Sequence, residues 1–294
     1  MLSLHTNAAS LSAQSSLSKT QTSLSTSMTR LSTGYRINSS MDDAAGLQIA
    51  TRLKAQSSGM AVAMRNTQNS ISMMQTADGA LDEVNNILTR MKDLATQAAD
   101  GSSSDDDKTA MDAEYNSLTD ELSNIFSNTS FGGTKLLSSD GKLATDGGIT
   151  FQIGADKSET MSGDFTKEIG DDGVIGKIKT ATDEKFSAAG DGDASEGATL
   201  KDGANQAIQD LSDAITSVST LRSKLGATSN RLDHVYNNLS NMSSNTQAAS
   251  GRIMDVDFAT ESASMTSNQM LMQAGTAMLK QTNSMSSMVM SLLQ

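Results

Sequence analysis

His5 and His234 are the only imidazoles in the chain, and no cysteine stands beside them. A general base needs a partner within hydrogen-bond reach, and a zinc site needs several His or Cys at fixed spacing. Neither histidine falls in an HExxH pattern or next to a nucleophile motif. The text "DGDASE" sets Asp191, Asp193 and Ser195 at the odd positions of a calcium loop, but it lacks the glycine at position six and the glutamate at position twelve. A solvated loop is the expectation there. Asn128 and Asn238 open Asn-x-Ser frames, which arise by chance in a Ser-rich chain. No catalytic residue, cofactor or metal ligand is assigned, and no enzyme is expected.

With no chemistry to position, the elements themselves become the subject. The 294 residues include no Pro, Cys or Trp, only six Phe and three Tyr, and 19 Met. A large aromatic core is excluded. Methionine fills irregular gaps, which suits helix-on-helix packing better than a shaped cavity. The net charge of -12 argues against nucleic acid and anionic membrane as partners. Residues 1 to 40 carry no acid and residues 262 to 294 carry Lys280 as their sole charge, whereas Ser138 to Gly203 hold 14 acidic and seven basic residues. The middle is therefore expected to be solvated and the two ends buried. No apolar run is long enough to span a bilayer, and the opening "MLSLHTNAASLSAQ" lacks the basic segment and apolar block of a secretory signal.

The periodicity is helical. Met74, Ala77, Leu81, Val84, Leu88, Met91, Ala95 and Ala98 keep strict three-four spacing, a seam of the kind one helix offers another. Met111, Tyr115, Leu118, Leu122 and Ile125 form a second seam, with Asp107 as candidate cap. Leu211, Val218, Leu225, Leu232 and Leu239 recur every seven residues in a third. Continuous helices over residues 43 to 99 and 204 to 253 would reach roughly 85 and 75 Å at 1.5 Å per residue. Between them, Phe131 to Ala155 alternates short apolar runs with Asp-Gly and Gly-Gly turns, which predicts small hairpins. Gly163 to Gly203 supports at most a small outer lobe or loop. The fold class is thus mainly α, with long coiled-coil-like helical rods, small β-hairpins, and N- and C-terminal helices that can pair.

The terminal stripes are of another kind. Leu4, Leu11, Leu24 and Leu31 line the start, and Leu271, Met278, Met285 and Leu292 recur every seven residues near the end. Sixteen of the first 33 residues are Ser or Thr, so a lone two-helix arm is expected to be marginal in water. It becomes worthwhile when many copies bury it together, and these eight residues are the candidate subunit-packing set. The stretch "LSTGYRINSSMDDAAG" breaks the helical stripe at Gly34 and restarts it with Ser40 and Asp43 at capping-box spacing. On the returning side, "SGRIMDVDF" offers Gly251 as a break and Asp257 as a cap. Gly34, Asn38, Gly251 and Asp257 are therefore the candidate hinge between arm and rod.

Several of these stretches together, "LSTGYRINSSMDDAAGLQIATR", "TADGALDEVNNILTRMKDLATQAA", "LGATSNRLDHVYNNLSN", "ASGRIMDVDFATESASMTSNQMLMQAGTAMLKQ" and "VMSLLQ", resemble bacterial flagellin, the subunit of the flagellar filament. The resemblance runs through residues 1 to 160 and 204 to 294, and the short Met-rich style is similar to lateral rather than polar filament subunits. It implies an axial core domain (1-43 plus 254-294), an inner-tube helical rod domain with β-hairpins (44-162 plus 204-253) and a small variable outer region (163-203). It further implies a homopolymer that serves as a helical propeller for motility, type III export to an extracellular filament, a flagellin export chaperone, and contacts with filament cap and hook-filament junction proteins. The family often has a proline near the final turn, absent here.

The resemblance also implies recognition by a host Toll-like receptor through "LTRMKDLATQ". Leu88, Arg90, Leu94 and Gln97 keep the family's residue types, and Asp93 stands where many stimulatory members have Glu. The closing "SLL" resembles the segment sensed by inflammasome receptors. A hook-filament junction protein would share the terminal arms, but the match through both rods favours the filament subunit. A secreted signalling or translocator protein would call for a basic amphipathic face, which the sequence lacks.

Overall fold

The computed structural model describes residues 7 to 145, 147 to 182 and 200 to 292, with the side chains of 200 to 203 and 285 to 292 left aside. Its helices are α1 (Ala8–Thr33), α2 (Ala44–Ala98), α3 (Asp105–Asn128), α4 (Thr166–Ile169), α5 (Val174–Ala181), α6 (Leu200–Met254) and α7 (Phe258–Leu292). The strands are β1 (Ser130–Phe131), β2 (Thr134–Lys135), β3 (Ile149–Gln152) and β4 (Thr160–Gly163). Contacts divide the chain into two compact units, 1 to 57 with 244 to 294, and 58 to 243.

The larger unit, 58 to 243, is built on the three predicted seams. Every α2 residue of the first seam is at most 3% exposed, and the seven-residue leucine and valine repeat of α6 is at most 5% exposed. Tyr115, Leu122 and Phe126 of α3 close the same core. Apolar residues at three-four spacing bring one face of each helix to a common axis, and burial of that face supplies the cohesion. Arg222 of α6 clamps both Asp78 (3.0 Å) and Asp82 (2.8 Å), one turn apart on α2.

The start of α3 differs in detail from the sequence reading. Ser104 is the N-cap and Asp107 sits at the third helical position, each side chain receiving the other's backbone N–H in a capping box. The hydroxyl reaches the orphan amide because Ser104 keeps an extended backbone, whereas Asp107 is already helical.

The β-elements are two separate antiparallel pairs. β1 and β2 are joined by Gly132 and Gly133, both at positive φ, the conformation a two-residue hairpin turn demands. β3 pairs with β4, which lies beyond the predicted hairpin region, with Phe151 opposite Met161. Phe151, Met161, Leu136, Leu137 and Leu143 all enter the core of the unit.

Residues 163 to 182 also depart from expectation. Phe165, Ile169, Val174 and Ile178 are fully buried in the same core as the rods. Glu168 pairs with Lys224 of α6 at 2.7 Å, and the Lys224 ammonium lies 5.6 Å from the Phe165 ring centroid. The Tyr115 hydroxyl donates to the Ala181 carbonyl at 2.6 Å. Gly and Asp are frequent in the stretch, but its apolar residues, in and beside α4 and α5, are buried.

In the smaller unit, α1 and α7 pack antiparallel. Asn7 reaches Thr282, Leu17 lies against α7 at Gly275, and Arg30 faces Glu261 at 3.6 Å. Several α1 hydroxyls, including Thr20, Thr22 and Thr26, donate to the carbonyl four residues back, so they find partners within the helix, although this back-bonding slightly weakens it.

Candidate functional site

The segment between α1 and α2 is a hydrogen-bonded clasp. Gly34 closes α1 at φ +76, a left-handed conformation natural to glycine, and its N–H donates to the Arg30 carbonyl at 2.9 Å. Tyr35 then forms an antiparallel bridge with Asp255. The Arg36 N–H donates to the Met254 carbonyl (2.6 Å) and the Val256 N–H to the Gly34 carbonyl (3.0 Å). The Arg36 guanidinium adds a bond to the Ile253 carbonyl at 2.9 Å. Two crossing chains are thereby tied by three bonds across a gap of over 200 residues in sequence.

The acid pair that follows divides its labour. Asp42 accepts from the backbone N–H groups of Asn38 (3.0 Å) and Ser39 (2.8 Å), while the Asn38 amide donates to the Tyr35 carbonyl at 2.8 Å. Asp43 caps α2, accepting from the Gly46 N–H at 2.8 Å. Ser40, proposed from spacing, does not take part, because the helical bonds begin at the Asp43 carbonyl. Gly46 is required by this cap: a side chain there would collide with the Asp43 carboxylate and Ile37, which is 1% exposed.

On the returning strand, α6 continues through Gly251 and ends at Met254, where the Asp255 N–H bonds back to the Gly251 carbonyl. The stop is set three residues beyond the glycine by the bridge to Tyr35. Asp257 opens α7, accepting from the Ala259 N–H (3.0 Å) and the Thr260 hydroxyl (2.6 Å).

These contacts hold both carboxyls below the usual carboxylate range. For Asp42 the foremost cause is the Ser39 N–H, followed by that of Asn38; for Asp257 it is the Thr260 hydroxyl, followed by the Ala259 N–H. A lowered folded pKa contributes stability that is complete above the ordinary value of 3.8 and is lost as pH falls through the folded value. Amide exchange at Asn38 and Ser39, corrected for its intrinsic pH dependence, is expected to accelerate as pH drops below 3.8. In Asp42→Asn the acceleration is expected at neutral pH. Equal protection across that range in the wild type would refute the clamp.

The arms are less finished than the clasp. Only Leu24 and Ser27 of α1 are buried, and no residue from Phe258 to Ser284 of α7 is. Of the candidate packing residues, Leu24 is 6% exposed and Leu31 half-buried, whereas Leu11, Leu271 and Met278 are 65%, 56% and 63% exposed. Leu4 lies outside the described residues, as do the side chains of Met285 and Leu292. A pair of helices thus leaves much of its apolar surface in water.

The N-terminal helical region of bacterial flagellin matches residues 4–142, and the C-terminal helical region matches residues 208–293. The chain belongs to the bacterial flagellin family. Flagellin A of Vibrio anguillarum is 36% identical over the whole of both chains. Polar flagellin A of Vibrio parahaemolyticus is 33% identical over 99% of each. The relatives named here place the chain among flagellins without assigning it to a lateral filament. A solved structure described as a putative flagellar hook-associated protein from Vibrio parahaemolyticus shares the fold, with a TM-score of 0.56, 19% identity, and coverage of 73% of this chain and 100% of that one. As a flagellin the chain is a structural subunit of the flagellar filament.

In this flagellin, the residues implied in receptor recognition separate into two groups. Leu88 (0% exposed) and Leu94 (3%) are core residues of the 58 to 243 unit. Arg90, Asp93 and Gln97 are exposed. Arg90 pairs with Glu114 of α3 through both Nε (3.0 Å) and a terminal nitrogen (2.7 Å), a partner the sequence did not point to. His234 is exposed on α6, lining a shallow groove with Arg231, Val235 and the β4 residues Thr160, Met161 and Ser162. His5, Asp191, Asp193 and Ser195 lie outside the described residues. Among the described residues no cluster of three His, Asp or Glu is placed to hold a metal ion, and no helix is long and apolar enough to cross a membrane.

Sequence reasoning located the joint through Gly34 and the acid pair but missed Tyr35, Arg36, Asp255 and Val256. Their roles come from a bridge between distant segments, for which short-range spacing carries no signal.

Proposed function

We propose that this flagellin polymerises through its paired terminal helices, which complete their packing only when copies surround one another. The observation that carries the reading is the exposure of Leu11, Leu271 and Met278 on arm helices where, among the described residues, only Leu24 and Ser27 are buried. Exposed apolar surface on this scale is removed from water by association. The resulting extracellular filament would act as a helical propeller, with the clasp at Tyr35 and Asp255 joining each arm to its rod. Supply through a type III export channel, a chaperone that masks the C-terminal arm, and capping and hook-junction partners belong to the same proposal. They rest on membership in the family.

Seeded polymerisation of the purified full chain, followed by electron microscopy, tests the reading. Long filaments are expected. A chain that remains monomeric under conditions in which seeds elongate would overturn it.

A second role, as a ligand of a host Toll-like receptor, is proposed from the exposed group Arg90, Asp93 and Gln97. Support comes from the residue types and from the exposure of all three side chains. The buried Leu88 and Leu94 would act by holding the helix face in shape. Monomer affinity for the receptor is expected to fall about tenfold in Arg90→Ala, as for loss of one charge-assisted contact; equal affinity would refute the proposal. Sensing of the closing "SLL" by inflammasome receptors is proposed on resemblance alone.

A further inference from the structure

The turn between α1 and α2 ends in a side chain that nothing in its own chain covers. Met41 is 95% exposed, the most of any large apolar residue among those described. Single exposed methionines are ordinary on flexible loops. This one is on a turn fixed from both sides. The Asp42 carboxylate accepts from the N–H groups of Asn38 and Ser39 and from the Ser39 hydroxyl, the Met41 N–H donates to the Ser39 hydroxyl at 3.3 Å, and the Asp42 N–H closes the turn onto the Ser39 carbonyl at 3.2 Å. Asp43 then anchors the next residues into α2. Met41 is the apex of this frame, held out by bonds that its own side chain does not share.

The same unit exposes two more large apolar side chains at the clasp and a third at the start of α2. Tyr35 (48%) follows Gly34, Phe258 (56%) approaches Gly34 with its ring, and Ile49 (42%) lies on the first turns of α2. An apolar group on a preorganised frame docks with little ordering cost, which is where contact area converts best into affinity. In a homopolymer the partner present at every joint, in fixed stoichiometry, is another copy. A knob on one patch received by a different patch of the next copy is a heterologous contact, the kind that propagates as an open helical filament rather than closing into a dimer.

We propose that Met41 is a docking knob, buried against a second copy of this chain when the filament forms. The inference rests on the assembly reading above and specifies a contact outside the paired arms. It makes the joint an interface between subunits as well as a connection within one.

Methionine oxidation reads the contact directly. Hydrogen peroxide converts an accessible thioether to the sulfoxide, and peptide mass spectrometry reports the rate at each methionine. Full-chain monomer and seeded filament would be treated side by side, with free methionine in each tube to normalise the dose. Met41 oxidation is expected to slow about tenfold or more in the filament, because peroxide reaches a thioether only where the sulfur is accessible. Equal rates in the two states would overturn the proposal even though filaments had formed. If the wild type forms no filament, the assembly reading falls and this inference falls with it.

Variants supply the second readout. Met41→Ser is expected to raise the critical concentration for seeded growth about tenfold, while Met41→Leu stays near wild type. Both monomers should keep the wild-type helical signal, since the side chain touches nothing in its own chain. A Met41→Ser chain with wild-type critical concentration would also overturn the proposal.

Discussion

A full-length chain carrying Leu271→Asp and Met278→Asp is expected to remain monomeric at concentrations where the wild type elongates seeds, with its helical content unchanged. Both side chains are more than half exposed on α7, so neither substitution removes a contact that the isolated chain depends on. In a filament each is expected to be enclosed. The loss then combines roughly half of the about 1.5 to 3 kcal/mol that full burial of each side chain is worth with the cost of placing a charge among apolar neighbours. Two such sites raise the critical concentration by a factor of at least about a thousand, since every 1.4 kcal/mol is tenfold. Sedimentation and electron microscopy of the seeded mixture measure it. Filaments forming at the wild-type concentration would remove α7 from the assembly surface.

The second large effect is expected at Phe165→Ala, in a region whose Gly/Asp-rich text suggested an outer lobe. Phe165 is fully buried, and a side chain at Gly163 would press on its ring, so the pocket around it is tightly filled. Deleting a buried phenylalanine loses its transfer free energy and leaves a cavity, together about 3 to 5 kcal/mol. At a position on a solvated lobe the same change would cost within about 0.5 kcal/mol. Urea denaturation of the full-length monomer, followed by circular dichroism, separates the two. A midpoint unmoved by the substitution would return residues 163 to 182 to the surface. The expected loss would establish that this short, acidic stretch is a wall of the core rather than an appendage.

Where the sequence was legible, one period repeated over many turns. The α2 seam from Met74 to Ala98 and the α6 repeat from Leu211 to Leu239 emerge buried at every named position, because a long apolar stripe has only one way to leave water. The break at Gly34 and the cap at Asp257 rest on similarly local physics, a left-handed residue and a side chain within reach of the next amides. The family itself was readable from ordered motifs. Local rules fell short at two points: the capping box expected from Ser40 and Asp43 does not form, and Gly251 could end a helix but does not.

Tertiary structure decided those cases. The helix passes Gly251 because the bridge between Tyr35 and Asp255 sets the stop at Met254, and Asp43 caps α2 while Asp42 is drawn into the turn. It also decided that Phe165, Ile169 and Ile178 enter the core, and that Arg90 meets Glu114. Each depends on residues far apart in the chain coming within a few ångströms, which no window of sequence contains. By itself the sequence determined that this is a chain of long helical seams, with terminal arms rich in Ser and Thr and carrying apolar stripes. Only the packed structure decided which end of each helix is tied to what, because a bridge or a salt link exists only between partners that the fold has already brought together.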